Sequence, residues 1–168
     1  EQAYRDGMAE GGAGAATLKS SDRATLQAWL SDQSRYVSHF TDEVVKQGLS
    51  DLQVAQRAEA WAANSLGEIR LRGLASVRPN QYMAWHMHDE AEHCLTCRKL
   101  NGQVHRVRDW LRYGFHPKAS TLVCWSGCKC ALEPAEGPAQ GNLRGVRYVR
   151  LRKARKERSI WQRLGLVA

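Results

Sequence analysis

All five cysteines of this 168-residue chain fall within 37 residues, in a spacing typical of a structural zinc site. Cys94 and Cys97 form a C-x2-C pair, and Cys124-x3-Cys128-x-Cys130 follows after a gap of 26 residues. A C-x2-C pair brings two thiolates to one ion, and a second pair completes a tetrahedral site. Zinc supplies the crosslink that a short, loop-rich segment cannot obtain from hydrophobic burial. We therefore predict one structural Zn²⁺ bound within these five thiols.

The spacing leaves open which four groups bind the metal. Cys94, Cys97 and Cys124 are the first three candidates, and the fourth is either Cys128 or Cys130. Residues separated by one position point to opposite sides of an extended segment, so these two do not easily share an ion. We favour Cys130, because the apolar residues after it can anchor it. Imidazole also suits zinc, and the nearby histidines are His86, His88, His93, His105 and His116.

Two other uses of the cysteines are weighed against zinc. A disulfide framework fits poorly with an odd number of cysteines and with the absence of an export signal. A thioredoxin-like redox pair needs a strand before it and a long helix after it, and the turn signal at Asn101-Gly102 opposes that helix. Structural zinc is the hypothesis that both arguments favour.

The sequence offers no convincing active site. His88 and Glu90 supply the H-x-E of zinc deaminases, but the C-x2-C pair begins only four residues after Glu90 and leaves no room for a substrate pocket. His88 and His93 lie five residues apart, whereas H-E-x-x-H metalloproteases need a spacing of four. Four sulfur ligands would also close the metal to substrate. We predict that the chain is not an enzyme, with a nuclease or toxin-like enzyme using His88 and Glu90 as the enzymatic alternative.

The residues before the cysteines predict two long amphipathic helices. The first begins at an N-cap at Ser21 and ends at Gly48, and the second begins at a capping box of Ser50 and Gln53 and stops near Gly73. Because the turn between them is short, they should pack as an antiparallel hairpin. The predicted core residues of this hairpin include Trp29, Leu30, Phe40 and Trp61.

The predicted fold class is mainly α with a small zinc-knuckle module. Residues 1–78 form the helical region, residues 79–133 form the loop-rich cysteine module, and residues 134–168 are a linker and a basic tail. No segment is long and apolar enough to span a membrane, and no signal peptide is visible.

The charge of the chain is strongly asymmetric. Residues 1–93 hold 9 Lys and Arg against 13 Asp and Glu, whereas residues 94–168 hold 16 against 4. Such a basic end indicates an anionic partner, either nucleic acid or an acidic protein surface. The candidate contact residues are Arg144, Arg147, Arg150, Arg152, Lys153, Arg155, Lys156 and Arg158.

Several motifs of the cysteine region resemble a known family. A Trp at position 85 precedes the acidic residues and C-x2-C of 89–97, the Leu-Asn-Gly turn of 100–102, and a closing Cys-Lys-Cys followed by Ala and Leu at 128–132. Over roughly residues 1–135, the chain resembles the minor head (head-morphogenesis) proteins of tailed phages, the family similar to the phage Mu F protein. Many of those proteins carry a His three residues before the Cys-basic-Cys, whereas here Cys124 stands four residues before Cys128.

This resemblance implies a non-enzymatic role in assembling the phage head. It implies a virion protein, assembled in the host cytoplasm, that contacts portal or capsid proteins and meets genomic DNA without sequence specificity. It implies no small-molecule substrate. The alternative is a zinc-containing nucleic-acid-binding module of non-viral function, in which Trp125 and His116 could stack on bases.

Overall fold

The chain divides into two units, residues 1–80 and 81–168, and the regular structure described in the first unit is helical. The structure is a computed structural model, and it describes residues 1–13, 17–89, 91–119, 121–124 and 128–146. The prediction of a mainly helical chain with a small cysteine-rich module is confirmed at this level.

The described residues of the first unit form three helices, α1 (Gln2–Glu10), α2 (Ser20–Gln47) and α3 (Asp51–Val77). The prediction of Ser21 as the N-cap of α2 is wrong, because Lys19 takes that position. The cap is instead supplied by Asp22, whose carboxylate accepts a hydrogen bond from the Lys19 amide at 2.8 Å and another from the Tyr4 hydroxyl at 2.8 Å. A buried carboxylate in the first turn therefore fastens the start of α2 to α1.

The junction between α2 and α3 follows the predicted signals. Gly48 caps α2 in the left-handed conformation with φ of 60°. Ser50 and Gln53 form the capping box, with the Ser50 amide donating to Gln53 Oε1 at 2.9 Å and the Gln53 amide donating to Ser50 Oγ at 3.4 Å.

Gly73 does not end α3, contrary to the sequence prediction. This glycine instead lies where α1 packs closely against α3. A Cβ atom at Gly73 would lie 2.0 Å from the Tyr4 carbonyl oxygen, and one at Gly7 would lie 1.8 Å from the Arg70 carbonyl oxygen. The two glycines therefore let the backbones of α1 and α3 touch, and α3 continues to Val77. The core beside this contact consists of Tyr4, Met8, Leu18, Leu26 and Ile69.

Side chains also join α2 to α3 farther from that core. Trp61 Nε1 donates to Gln33 Oε1 at 2.7 Å, the rings of Tyr36 and Trp61 stack at 6.0 Å, and Arg57 contacts Glu43 at 2.7 Å. The burial predicted for Leu30 is wrong, because 54% of this residue is exposed. The predicted core residues Trp29, Phe40 and Trp61 are only half-buried. Two helices alone enclose little volume, so the aromatic side chains lie between them while the aliphatic ones stay at the surface.

The second unit is built around a small antiparallel sheet of β1 (Tyr82–His86), β2 (Val104–Arg106) and β3 (Ala131–Pro134), in the order β2-β1-β3. Tyr82 to Ala84 pair with Arg106 to Val104 on one side, and Met83 to His86 pair with Pro134 to Ala131 on the other. One short helix, α4 (Leu95–Leu100), lies between β1 and β2 along the chain. A second short helix, α5 (Val107–Tyr113), follows β2.

Aromatic residues contribute the largest side chains to the core of the second unit, beside buried aliphatic residues such as Leu100 and Val107. Trp85 and Trp110 are both almost fully buried, with ring centroids 5.8 Å apart, and Phe115 is completely buried. The Trp110 indole N–H donates to the Met83 carbonyl at 3.0 Å. This hydrogen bond ties α5 to the central strand and satisfies a buried donor.

Residues 134–146, which the sequence analysis assigned to a linker and tail, are part of the second unit and make contacts within it. The backbones of Gln140 and Val104 exchange two hydrogen bonds of 3.0 and 2.7 Å. Leu143 and Val146 are buried, and residues 143–146 are helical. The basic residues from Arg147 onward lie outside the described part of the chain.

Candidate metal centre

Two of the five cysteines are placed by the start of α4. Cys94 is the N-cap of this helix, and its Sγ accepts a hydrogen bond from the Cys97 amide at 3.4 Å. Cys97 lies within the helix and is completely buried. Because a helix N-terminus offers unpaired amides and a positive dipole end, it favours thiolates over thiols at this position.

The other three cysteines approach from the segment that ends in β3. Cys124 Sγ lies 3.4 Å and Cys128 Sγ lies 3.7 Å from Cys97 Sγ. Cys130 directly precedes β3, whose pairing with β1 fixes its position. All five cysteines are free thiols, without a disulfide between them.

The five thiols form two overlapping groups that share Cys97. One group is Cys94, Cys97 and Cys124, the other is Cys97, Cys128 and Cys130, and within each group all sulfur atoms lie within 4.8 Å of one another. A Zn–S bond of about 2.3 Å sets the thiolates of a tetrahedral site about 3.8 Å apart. The observed spacings are therefore suited to a metal ion. We expected Cys128 and Cys130 to point to opposite sides of an extended segment. In the structure both thiols lie near that of Cys97.

Two of the thiols have lowered pKa values. A hydrogen bond from the Cys97 thiol lowers the pKa of Cys128 to about 5, with the Lys118 and Cys130 amides acting in the same direction against burial. For Cys94, burial raises the pKa, but hydrogen bonds from the Cys97 and Cys124 backbones outweigh it and lower the pKa overall. Thiol and amide donors together thus favour the thiolate forms of Cys94 and Cys128, which can bind a cation.

The remaining three thiols have raised pKa values. The hydrogen bond to Cys128 and then burial raise the pKa of Cys97, burial raises that of Cys124 to about 12, and burial raises that of Cys130 to about 11. Five thiolates cannot share one buried volume without a compensating positive charge. A bound cation would supply that charge and displace these protons.

Lys118 is a part of the site that sequence reasoning missed. This residue has a left-handed backbone, with φ of 65°, and its amide supports the Cys128 thiolate. The turn signal was present in the preceding Pro117, but nothing in the sequence connects this turn to a cysteine ten residues away.

Trp85 and His93 lie beside Cys130. Burial raises the pKa of Cys130, and the Trp85 indole acts in the opposite direction. His93 Nδ1 lies 3.4 Å from Cys130 Sγ, while its Nε2 lies 2.7 Å from the His88 carbonyl oxygen. His93 is therefore a candidate histidine in contact with one of the candidate thiol ligands.

The other candidate histidines have different surroundings. His86 and His88 are exposed. His105 is buried with its ring edge on Trp110 at 5.1 Å, its Nε2 lies 3.0 Å from Gln103 Oε1, and burial lowers its pKa. His116 is buried with Nδ1 3.1 Å from the Pro117 carbonyl oxygen. Glu90 and Trp125, which the alternative functions require, lie outside the described residues.

Of the eight basic candidates, the structure describes Arg144. Its side chain is exposed, and Nε donates to the Tyr113 hydroxyl at 3.2 Å. The other seven lie outside the described residues, so a nucleic-acid or protein contact there stays a prediction.

Comparisons with known proteins do not identify the chain. No family model, no curated protein and no solved structure matches it. Within the described residues, no helix has the length and hydrophobicity that crossing a membrane requires.

Proposed function

We propose that the second unit is a structural zinc module and that the chain has a non-enzymatic role in assembly. The observation that carries the zinc proposal is the pair of thiol groups that share Cys97, with sulfur contacts of 3.4 and 3.7 Å. The thiols come from α4, from the 121–124 segment and from the approach to β3. A metal at this point would join elements that the small aromatic core alone holds weakly.

The proposed zinc role is tested by metal content. Purified, reduced protein should contain about one zinc per chain by inductively coupled plasma mass spectrometry. Cys94→Ser or Cys97→Ser should reduce the zinc content severalfold, because a thiolate binds zinc more strongly than the serine hydroxyl that replaces it. His86→Ala is the matched control, since His86 is exposed and should leave the metal content unchanged. Wild-type protein that purifies without metal in reducing buffer, and takes up none when zinc is added, would contradict the proposal.

The assembly role that we propose is that of a minor head protein of a tailed phage, located near the portal. The residues that carry the resemblance support this role because they all have structural positions in one unit. Trp85 lies in the core, Gly102 lies in a turn with φ of 73°, and the cysteines form one cluster. In this proposal, portal or capsid proteins are the main partners. The basic segment from Arg144 to Arg158 contacts an acidic protein surface or packaged DNA.

The head-protein proposal is tested on phage particles. Gradient-purified heads from a phage that carries this sequence should contain the chain in few copies, measured by quantitative mass spectrometry. Cys97→Ser should reduce incorporation, whereas His86→Ala should not. Heads that lack the chain, while the lysate contains it in folded form, would contradict the assembly role without affecting the zinc proposal.

We also infer that α2 and α3 form the predicted antiparallel hairpin. The contacts from Gln33 to Trp61 and from Glu43 to Arg57 support this arrangement. The residue numbers of the contacting positions increase along α2 while they decrease along α3, as they do in antiparallel helices.

A further inference from the structure

Contacts between α2 and α3 define which sides of the two helices face each other. Gln33 Oε1 accepts hydrogen bonds from Trp61 Nε1 at 2.7 Å and from Ser65 Oγ at 2.9 Å. Gln33 and Trp61 therefore face each other. We use them as reference points, and the angle of every other residue around its helix axis is measured from Gln33 on α2 and from Trp61 on α3.

One side of α2 carries a row of bulky apolar residues. At about 100° of rotation per residue, Leu30, Val37 and Val45 lie roughly 40–120° from Gln33 in one sense of rotation. Their exposed fractions are 54%, 43% and 78%. We call these three residues the bulky row.

One side of α3 carries a complementary row of small residues. Ala55, Ala58 and Ala62 lie roughly 60–120° from Trp61 in the same sense of rotation, and Leu66 lies at about 140°. Ala55 and Ala58 are exposed, as is 53% of Leu66. We call the three alanines the small row. In antiparallel helices the same sense of rotation leads to the same side of the pair, so the two rows lie on one side, which we call the apolar side. The exposed hydroxyl residues Ser34 and Thr41 lie between the members of the bulky row.

A helix already covers this side of α3 near its C-terminus. Gly73 lies at about 120° from Trp61 in the same sense of rotation, and α1 packs there through Gly7. The covered stripe includes Ile69, which is 2% exposed, and the next apolar residue toward the N-terminus is the exposed Leu66. The apolar side is thus the continuation of a helix-packing interface beyond the end of α1.

We propose that this apolar side is a self-association surface on which a second copy of the chain packs to form a four-helix bundle. A twofold axis parallel to the helices places α2 of each copy over α3 of the other, with every neighbouring helix antiparallel. Val37 and Val45 of each copy then face the small row of the other, whereas Leu30 lies at the level of Ile69, where α1 covers α3. Val37 lies at the level of Ala62, and Val45 at the level of Ala55, so large side chains meet small ones.

The size of the surface is sufficient for a weak dimer. The stretch from Leu30 to Val45 is roughly 24 Å long at 1.5 Å per residue, and two packed helices are about 20 Å wide. The buried surface is then about 500 Å² per copy and about 1,000 Å² in total, near the lower limit for a specific interface. We therefore expect a reversible dimer that depends on protein concentration. This inference rests on the antiparallel hairpin of α2 and α3 and is independent of the zinc and head-protein proposals.

Sedimentation velocity of the full, zinc-saturated chain over a range of concentrations tests this proposal, in reducing buffer so that intermolecular disulfides cannot contribute. Wild-type protein should show a reversible monomer–dimer equilibrium. Val37→Lys and Ala58→Lys should each weaken dimerisation by at least tenfold, because each buries a charge in the apolar interface. Circular dichroism should show unchanged helical content.

Ala28→Lys is the matched control for Ala58→Lys. Ala28 is an exposed alanine on α2 and lies about 140° from Gln33 in the opposite sense of rotation, so this substitution should leave dimerisation unchanged. A wild-type chain that stays monomeric at every concentration would overturn the proposal and leave the apolar side to a helix of a different protein. A dimer that Val37→Lys and Ala58→Lys leave intact would also overturn it.

Discussion

At the scale of single residues, the contact of α1 with α3 depends on two glycines. Gly73→Ala places a Cβ within 2.0 Å of the Tyr4 carbonyl oxygen, so the helices must separate. We expect a loss of about 1–3 kcal/mol in the free energy of unfolding, measured by urea denaturation. Gly67→Ala is the control on the same helix: Gly67 is exposed, so alanine should stabilise the protein by up to about 1 kcal/mol. Equal effects of the two substitutions would show that the close contact is not needed.

Cys128 gives a pH dependence whose sign follows from its pKa. This pKa is about 5 in the folded chain against an ordinary value of 9.0. Between those values the unfolded state holds a proton that the folded state lacks. The stabilisation is therefore fully present above pH 9, and it is lost as the pH falls through 5.

Urea unfolding of the metal-free, reduced protein measures this pH dependence in the cold, with hydrogen exchange of the β1 amides as the probe. The free energy of unfolding should fall from pH 9 to pH 5, and Cys128→Ser should flatten this fall. Cys130→Ser should not, because a thiol with a pKa raised to about 11 keeps its proton in both states below pH 9. An unchanged profile for Cys128→Ser would show that Cys128 is not a thiolate in the folded chain.

At the scale of elements, the capping box sets the start of α3. Ser50→Ala removes the acceptor for the Gln53 amide, which leaves an orphan donor in the first turn. We expect a loss of about 1 kcal/mol in the free energy of unfolding, measured by thermal denaturation. Thr41→Ala is the comparison, since the Thr41 hydroxyl bonds only the Val37 carbonyl within α2 and should matter little. A neutral Ser50→Ala would show that the turn at Gly48 alone positions α3.

At the scale of the whole molecule, the two units should respond differently to metal removal. A chelator should increase hydrogen exchange in β1, α4 and β3, where the thiols lie, and leave the amides of α1 and α3 protected. The reason is that metal binding stabilises only the unit that holds the site. Mass spectrometry of the exchanged protein localises the change. Equal loss of protection in both units would show that they unfold together.

Salt dependence separates the two proposed partners of the basic segment. If this segment binds duplex DNA, log affinity should fall with log salt at a slope of about −0.9 per phosphate contacted. Arg144→Gln should then reduce that slope by about one unit without changing sequence preference. If the segment binds an acidic portal or capsid surface, truncation after Gly141 should abolish incorporation into heads and leave DNA affinity unchanged. Normal incorporation together with an unchanged salt slope would contradict both contacts.

The sequence by itself determined the features that depend on neighbouring residues. The capping box at Ser50 and the left-handed Gly48 could be predicted because a helix end is satisfied by groups three or four positions away. The cysteine cluster could be predicted as a set because its members are close along the chain. The long helices followed from apolar periodicity over many turns.

Only the tertiary structure decided the features that depend on distant partners. Gly73 looks like a helix stop until Tyr4 of α1 is seen against it, 69 residues away in sequence. The strands escaped prediction because three to five residues carry too little periodic signal. The grouping of the thiols around Cys97 also required the fold, because pairing of β1 with β3 fixes where Cys130 meets α4. Spacing identifies which residue types can bind a metal, but their distances depend on backbone pairing across the whole unit.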